Sequence, residues 1–157
     1  MQRPEPLLMI PLSFLAGVLL TLMPLPEALI WWRPEWLLML LLFWVLNQPS
    51  IVGIWTAFIL GLMLDLMMNT RFGVYPVSMV TVAWLARLAT RRMRTLSLLN
   101  TSGVVAVLTA LALALRAGLE LLLPGSRPLI ADYWLPVISS ALCWPLVMAA
   151  LQRWGKY

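Results

Sequence analysis

The sequence has no histidine and a single cysteine, Cys143. The missing histidines remove the commonest general base and the commonest zinc ligand of proteins. One cysteine excludes a disulfide within the chain. No metalloprotease, hydrolase-elbow or nucleotide-loop motif is present either. The sequence therefore predicts no enzyme, no cofactor and no metal site.

Charged residues are also scarce, whereas apolar residues dominate. They make up 11% and 62% of the 157 residues, against about 25% and 45–50% in soluble domains. This balance predicts one integral membrane domain, an all-α bundle of six transmembrane helices. The predicted spans cover residues 7–23, 35–47, 51–68, 74–90, 102–123 and 133–151. The second is short for a bilayer, which predicts a tilted helix, a start within the interface or a locally thinned membrane.

Lysine and arginine placement predicts the orientation of these spans. With both termini in the cytoplasm, the inner side carries Arg3, Arg91, Arg92, Arg94, Arg153 and Lys156. The outer side then carries Arg33, Arg71 and Arg127. Because cytoplasmic loops are enriched in these residues, both termini are predicted to lie inside. The net charge of +5 thus indicates topology and contact with anionic lipids, and it does not indicate nucleic-acid binding.

Asp65 is unusual because it lies within the apolar third span. A carboxylate at that depth costs about 2.5–3.5 kcal/mol on insertion scales, so it needs a partner or a function. Its helix carries a stripe of residues spaced four apart, which share one face. The stripe consists of Gly53, Ala57, Gly61, Asp65 and Asn69. Small residues allow helices to approach closely in membranes, so the stripe predicts that Asp65 faces protein.

The fifth span carries a second stripe of small residues and two charges. The stripe consists of Ser102, Ala106, Ala110, Ala114 and Gly118. Arg116 and Glu120 lie roughly opposite, four residues apart, and this spacing permits an ion pair. A helix that is small on one side and charged on the other is expected to be buried on both. A cluster of Asp65, Arg116 and Glu120 is geometrically possible, as a register-fixing network, a docking surface for a partner helix, or a substrate or proton site.

Pro145 lies in the middle of the sixth span. A proline there frees the carbonyl of Ala141 and predicts a kink. Nearby Ser139, Ser140 and Cys143 are close enough in sequence to solvate that carbonyl. The kink is interpreted as a packing feature, with a broken helix that lines a ligand cavity as the alternative.

Three tracts together resemble one family. They are Arg33–Leu38 (RPEWLL), Gly61–Leu66 (GLMLDL) and Thr70–Gly73 (TRFG). With the chain length, the basic cluster after the fourth span and Trp144-Pro145, they resemble the bacterial rod shape-determining MreD family, in its Gram-negative proteobacterial versions. The likeness extends over the whole chain. Asp65 and Gly73 match its central motif, and the resemblance implies structural or docking roles for them.

The resemblance implies a subunit of the cell-elongation machinery in the bacterial cytoplasmic membrane. Its implied partner is MreC, in an assembly that links the MreB filament to RodA and its partner transpeptidase and supports lateral peptidoglycan synthesis. The implied six-helix fold is similar to that of the substrate-binding subunits of energy-coupling-factor transporters. No catalytic residues are implied.

Two functions remain open from the sequence. One is a non-enzymatic scaffold that binds MreC by helix packing. The other is a small-molecule binding or transport component, suggested by Asp65, Arg116, Glu120 and Pro145. For the scaffold, Asp65→Leu is expected to impair assembly or accumulation. For the transport component, the same change should abolish ligand binding while the chain stays folded.

Overall fold

A computed structural model describes residues 6–24, 26, 32–93, 98–122 and 131–155, with side chains for 8–24, 26, 32–89, 100–122 and 133–153. These residues form six α-helices and no strand, which confirms the all-α prediction. The helices are α1 (Pro6–Leu22), α2 (Trp36–Asn47), α3 (Ile54–Met67), α4 (Val74–Met93), α5 (Leu98–Leu121) and α6 (Leu135–Gly155). A 3₁₀ turn, Ala131–Trp134, leads into α6.

Each predicted span overlaps one helix, with differences of a few residues at the ends. The third span was predicted from residue 51, but α3 begins at Ile54, since the chain turns where the Val52 N–H donates to the Gln48 carbonyl. Two helical segments, Asn100–Leu121 and Leu135–Arg153, are long and apolar enough to cross a membrane. The shorter apolar segments are Leu8–Leu22, Trp36–Asn47, Ile54–Met67 and Val74–Ala89.

Helix α2 lies at the centre of the bundle. It packs against α1, α4, α5 and α6, and every residue from Leu37 to Leu46 is buried. A helix that is apolar on all sides is suited to this position. Trp44 donates from its indole Nε1 to the Ser13 hydroxyl of α1 at 2.7 Å. Twelve residues span only about 18 Å, and α2 tolerates this length because neighbouring helices surround it.

Helices α3 and α4 form the most extensive helix pair in the bundle. The stripe on α3 mediates their contact: Ala57, Gly61 and Asp65 are buried. A Cβ on Gly61 would lie 2.5 Å from the Pro76 Cα of α4, so only glycine permits this approach. Asn69, at the end of the stripe, is exposed with a φ of 50°.

Helix α5 is buried on one side only. Arg116 is 3% exposed and its neighbour Ala117 is 4% exposed, whereas Ala114 and Gly118 are exposed and Ala106 and Ala110 are partly exposed. The expectation that both sides of α5 are buried is therefore wrong for this chain alone. The six helices supply enough neighbours to cover only the charged side.

Several predicted features lie outside the described part of the chain. Arg3, Arg94, Arg127 and Lys156 are among them, as are the side chains of Arg91 and Arg92. Arg33 and Arg71 are at the end of the bundle where α3 ends and α4 begins, and Arg153 is in the last turn of α6. Pro145 lies within α6, and its kink stays a prediction.

Candidate functional site

The carboxylate of Asp65 holds the turn between α3 and α4. It is 1% exposed. One oxygen, Oδ1, accepts from the Thr70 hydroxyl at 2.9 Å and from the Tyr75 N–H at 3.1 Å. The other, Oδ2, accepts from the Gly73 N–H at 2.6 Å. The backbone carbonyl of Asp65 accepts from the Thr70 N–H at 3.0 Å.

These bonds explain why an acid is buried at this position. The first N–H groups of a helix have no partner within the helix, and they carry a partial positive charge. Asp65 supplies an anionic acceptor to this end of α4. Gly73 has a φ of 103°, a conformation that L side chains rarely adopt. The two motif positions Asp65 and Gly73 thus build a single turn.

Arg116 forms the second polar centre. Its Nη1 donates to Oε1 of Glu35 at 2.9 Å, and its Nη2 donates to Oε2 at 3.2 Å. Its Nε donates to the Ser78 hydroxyl at 3.1 Å, and the guanidinium lies 4.1 Å from the centre of the Tyr75 ring. Such a two-point pair is a strong form of ionic hydrogen bond.

The arrangement differs from the predicted Asp65–Arg116–Glu120 cluster. Arg116 forms its ion pair with Glu35 and not with Glu120, while Asp65 is occupied by the turn. The two centres meet at Tyr75, whose N–H binds Asp65 and whose ring contacts Arg116. The sequence did not indicate Glu35 as a partner, because 81 residues separate it from Arg116. The available signal was its position at the same bundle end as Arg116.

Serine hydroxyls extend this network to further helices. The Ser78 hydroxyl accepts from Arg116 and donates to the Tyr75 carbonyl at 2.9 Å. The Glu35 N–H donates to the Ser140 hydroxyl at 3.0 Å, so the start of α2 binds α6. One network therefore joins α2, α4, α5 and α6, and through Asp65 it reaches α3.

A cavity of about 260 Å³ lies beside this network. Its polar wall includes Arg33, Glu35, Tyr75, Arg116, Glu120 and Tyr133, and its apolar wall includes Trp36, Leu37, Leu64, Met68 and Leu113. These residues come from the same end of the bundle, where α1, α3 and α5 end and α2, α4 and α6 begin. No cluster of three potential metal ligands occurs among the residues that the structure describes.

A family model described as rod shape-determining protein MreD matches residues 1–154. The chain belongs to the MreD family. It is also similar to the rod shape-determining protein MreD of Haemophilus influenzae, with 29% identity over 143 residues. That match covers 89% of this chain and 86% of the relative. No solved structure matches the chain significantly.

Family membership confirms the resemblance drawn from the three sequence tracts. It identifies the chain as a member of a membrane protein family that functions in rod shape determination, in association with the rod-shape complex. The likeness to the substrate-binding subunits of energy-coupling-factor transporters stays a prediction, since no solved structure supports it.

Proposed function

We propose that this MreD family member is a non-enzymatic scaffold that binds MreC within the cytoplasmic membrane. It crosses the membrane six times, with both termini in the cytoplasm. Through MreC or directly, it assembles with the MreB filament, RodA and the partner transpeptidase of RodA, and so supports lateral peptidoglycan synthesis. Family membership supports the general role, and the surface of α5 supports helix-to-helix binding.

The exposed side of α5 is the observation that carries this proposal. Val107 is 67% exposed, and Ala114 and Gly118 are exposed beside it. A Cβ on Gly103 or Gly118 would meet no atom within 4 Å. Helix association in lipid depends on close packing, which small residues permit. This side of α5 is therefore suited to a transmembrane helix such as that of MreC.

Co-purification of MreC in mild detergent tests the proposal. The informative variant is Ala114→Leu, which places a large side chain on the exposed side of α5. Its matched control is Ala150→Leu, the same change at an exposed position of α6. Wild type and control should retain MreC, whereas Ala114→Leu should retain at least tenfold less, because the helices can no longer approach closely.

Two results would count against this function. A folded wild-type chain that emerges without MreC would refute the scaffold. Equal MreC recovery by Ala114→Leu and Ala150→Leu would show that MreC does not bind the exposed side of α5. Asp65→Leu is expected to reduce MreC recovery indirectly, because it disrupts the turn before α4.

The cavity favours a second candidate function, the binding of a small molecule. Its walls combine charged and apolar side chains, as ligand sites commonly do. A saturable ligand that stabilises the purified chain without MreC would support this function. It does not exclude the scaffold, because the exposed side of α5 lies opposite Arg116, which lines the cavity.

A further inference from the structure

The two arginine side chains that line the cavity already form hydrogen bonds with other groups of the protein. Arg116 binds Glu35 and Ser78. Arg33 donates from Nη2 to the carbonyls of Leu20 and Met23 at 3.5 and 3.2 Å. These carbonyls lie at the end of α1, where a cation is favoured by the helix dipole.

Two polar groups, one donor and one acceptor, form no hydrogen bond with the described residues. The Nε of Arg33 is buried and has no hydrogen-bond partner among the described residues. The carboxylate of Glu120 forms no hydrogen bond or ion pair with any residue that the structure describes. A buried donor without a partner costs about 1–3 kcal/mol. Arg33 and Glu120 line the same cavity, and their side chains bring a donor for an anion and an acceptor for a cation to it.

The surroundings of Glu120 favour an ammonium group. The rings of Tyr75 and Tyr133 line the cavity with it, and aromatic faces attract organic cations. Tyr133 also donates its hydroxyl to the Leu113 carbonyl at 3.2 Å, which fixes its ring at the cavity wall.

The size and place of the cavity limit its ligand. At about 260 Å³ it falls below the range of about 300–1,000 Å³ that is common for drug-sized ligands. It lies where α1, α3 and α5 end and α2, α4 and α6 begin, at the end of the bundle that faces one membrane surface in the proposed six-span arrangement. Its rim residues Pro34, Glu120 and Pro136 are partly exposed, and its floor includes Leu37 and Leu64.

We propose that the cavity binds a zwitterion, with its ammonium group on Glu120 and its phosphate or carboxylate on the guanidinium of Arg33. Because the cavity opens towards one membrane surface in the proposed arrangement, the headgroup of phosphatidylethanolamine is the membrane component that fits it, and a free amine-bearing phosphate has the same chemistry. This inference rests on the second candidate function and is independent of MreC binding.

Native mass spectrometry of the full chain in detergent tests the inference with three probes. They are short-chain phosphatidylethanolamine, phosphatidylglycerol with the same acyl chains, and free phosphoethanolamine. The first should bind at least tenfold more tightly than the second, since only it carries an ammonium group. Binding of phosphoethanolamine as well would show that the site also accepts the soluble zwitterion.

Two variants locate the site. Glu120→Gln should weaken phosphatidylethanolamine binding about tenfold or more, as expected for the loss of an ionic hydrogen bond. Arg153→Gln is a charge-neutralising control in the last turn of α6, away from the cavity, and should bind as wild type does. Circular dichroism melting without lipid verifies that Glu120→Gln folds.

Three results would contradict the proposal that the cavity binds a zwitterion. Equal binding of the two lipids would show that the ammonium group is not recognised, although the ligand-binding function would stand. Unchanged affinity in Glu120→Gln would place the headgroup elsewhere. Failure of all three probes to bind wild type would refute zwitterion binding. The second candidate function, small-molecule binding, would then need a ligand of another class.

Discussion

Replacing Glu35 or Glu120 by glutamine distinguishes the ion pair in the structure from the pair that the sequence predicts. Both carboxylates line one cavity, but only Glu35 binds Arg116, at 2.9 and 3.2 Å. The side chains of Arg116 and Glu35 are 4% and 19% exposed. Removing one partner of a buried pair costs about 3–5 kcal/mol, and the partial exposure of Glu35 favours the lower end.

The free energy of unfolding measures this cost. Helicity followed by circular dichroism during a titration with denaturing detergent should show a loss of about 3 kcal/mol for Glu35→Gln. Glu120→Gln should stay within about 0.5 kcal/mol of wild type, because it removes no hydrogen bond or ion pair between described residues.

A double variant checks that the loss arises from an unpaired cation. Glu35→Gln combined with Arg116→Met removes both charges. It should be more stable than the sum of the single changes by about 1–3 kcal/mol, as for coupled neighbours. If the double variant is additive, Arg116 and Glu35 do not stabilise each other. If Glu120→Gln is as costly as Glu35→Gln, the loss is not specific to the Arg116–Glu35 pair.

Two further predictions concern the contact between α3 and α4. Asp65→Leu leaves two backbone N–H groups without an acceptor and should cost about 1–3 kcal/mol for each. Asp65→Asn retains one oxygen and should cost less, so equal losses in the same titration would contradict this role. Gly61→Ala should cost about 1–3 kcal/mol, because its Cβ would meet the Pro76 backbone. Gly118→Ala, the matched control in open space, should gain up to about 1 kcal/mol, and equal effects of the two changes would contradict the packing argument.

The helices could be predicted because long apolar runs determine them directly. The length of α2 was harder to interpret. Its 12 residues suggested a mismatch with the bilayer, but this inference assumed that lipid surrounds the helix. The structure surrounds α2 with four other helices. A sequence with uniform hydrophobicity does not reveal which helix occupies the centre.

The polar partners could be predicted only in part. The stripe on α3 placed Asp65 against protein, and Asp65 is buried. Its acceptor role depends on N–H groups at the start of α4, which no residue pattern displays. For Arg116, the obvious candidate for an ion pair was Glu120, four residues further along the same helix. The actual partner, Glu35, is 81 residues away and is brought close only by tertiary packing.

The short helices also explain why the polar groups lie where they do. At 12 and 14 residues, α2 and α3 span about 18 and 21 Å, less than the hydrocarbon core of about 30 Å. In the proposed six-span arrangement their ends therefore lie at depths where unpaired backbone groups are costly, and such backbone is tolerated only inside protein or beside a cavity. Ser140 binds the backbone at the start of α2, and Asp65 binds the turn after α3. The polar network thus follows from short helices that end inside the bundle, which predicts that the side chains that bind these backbone groups are needed for folding even where they contact no partner protein.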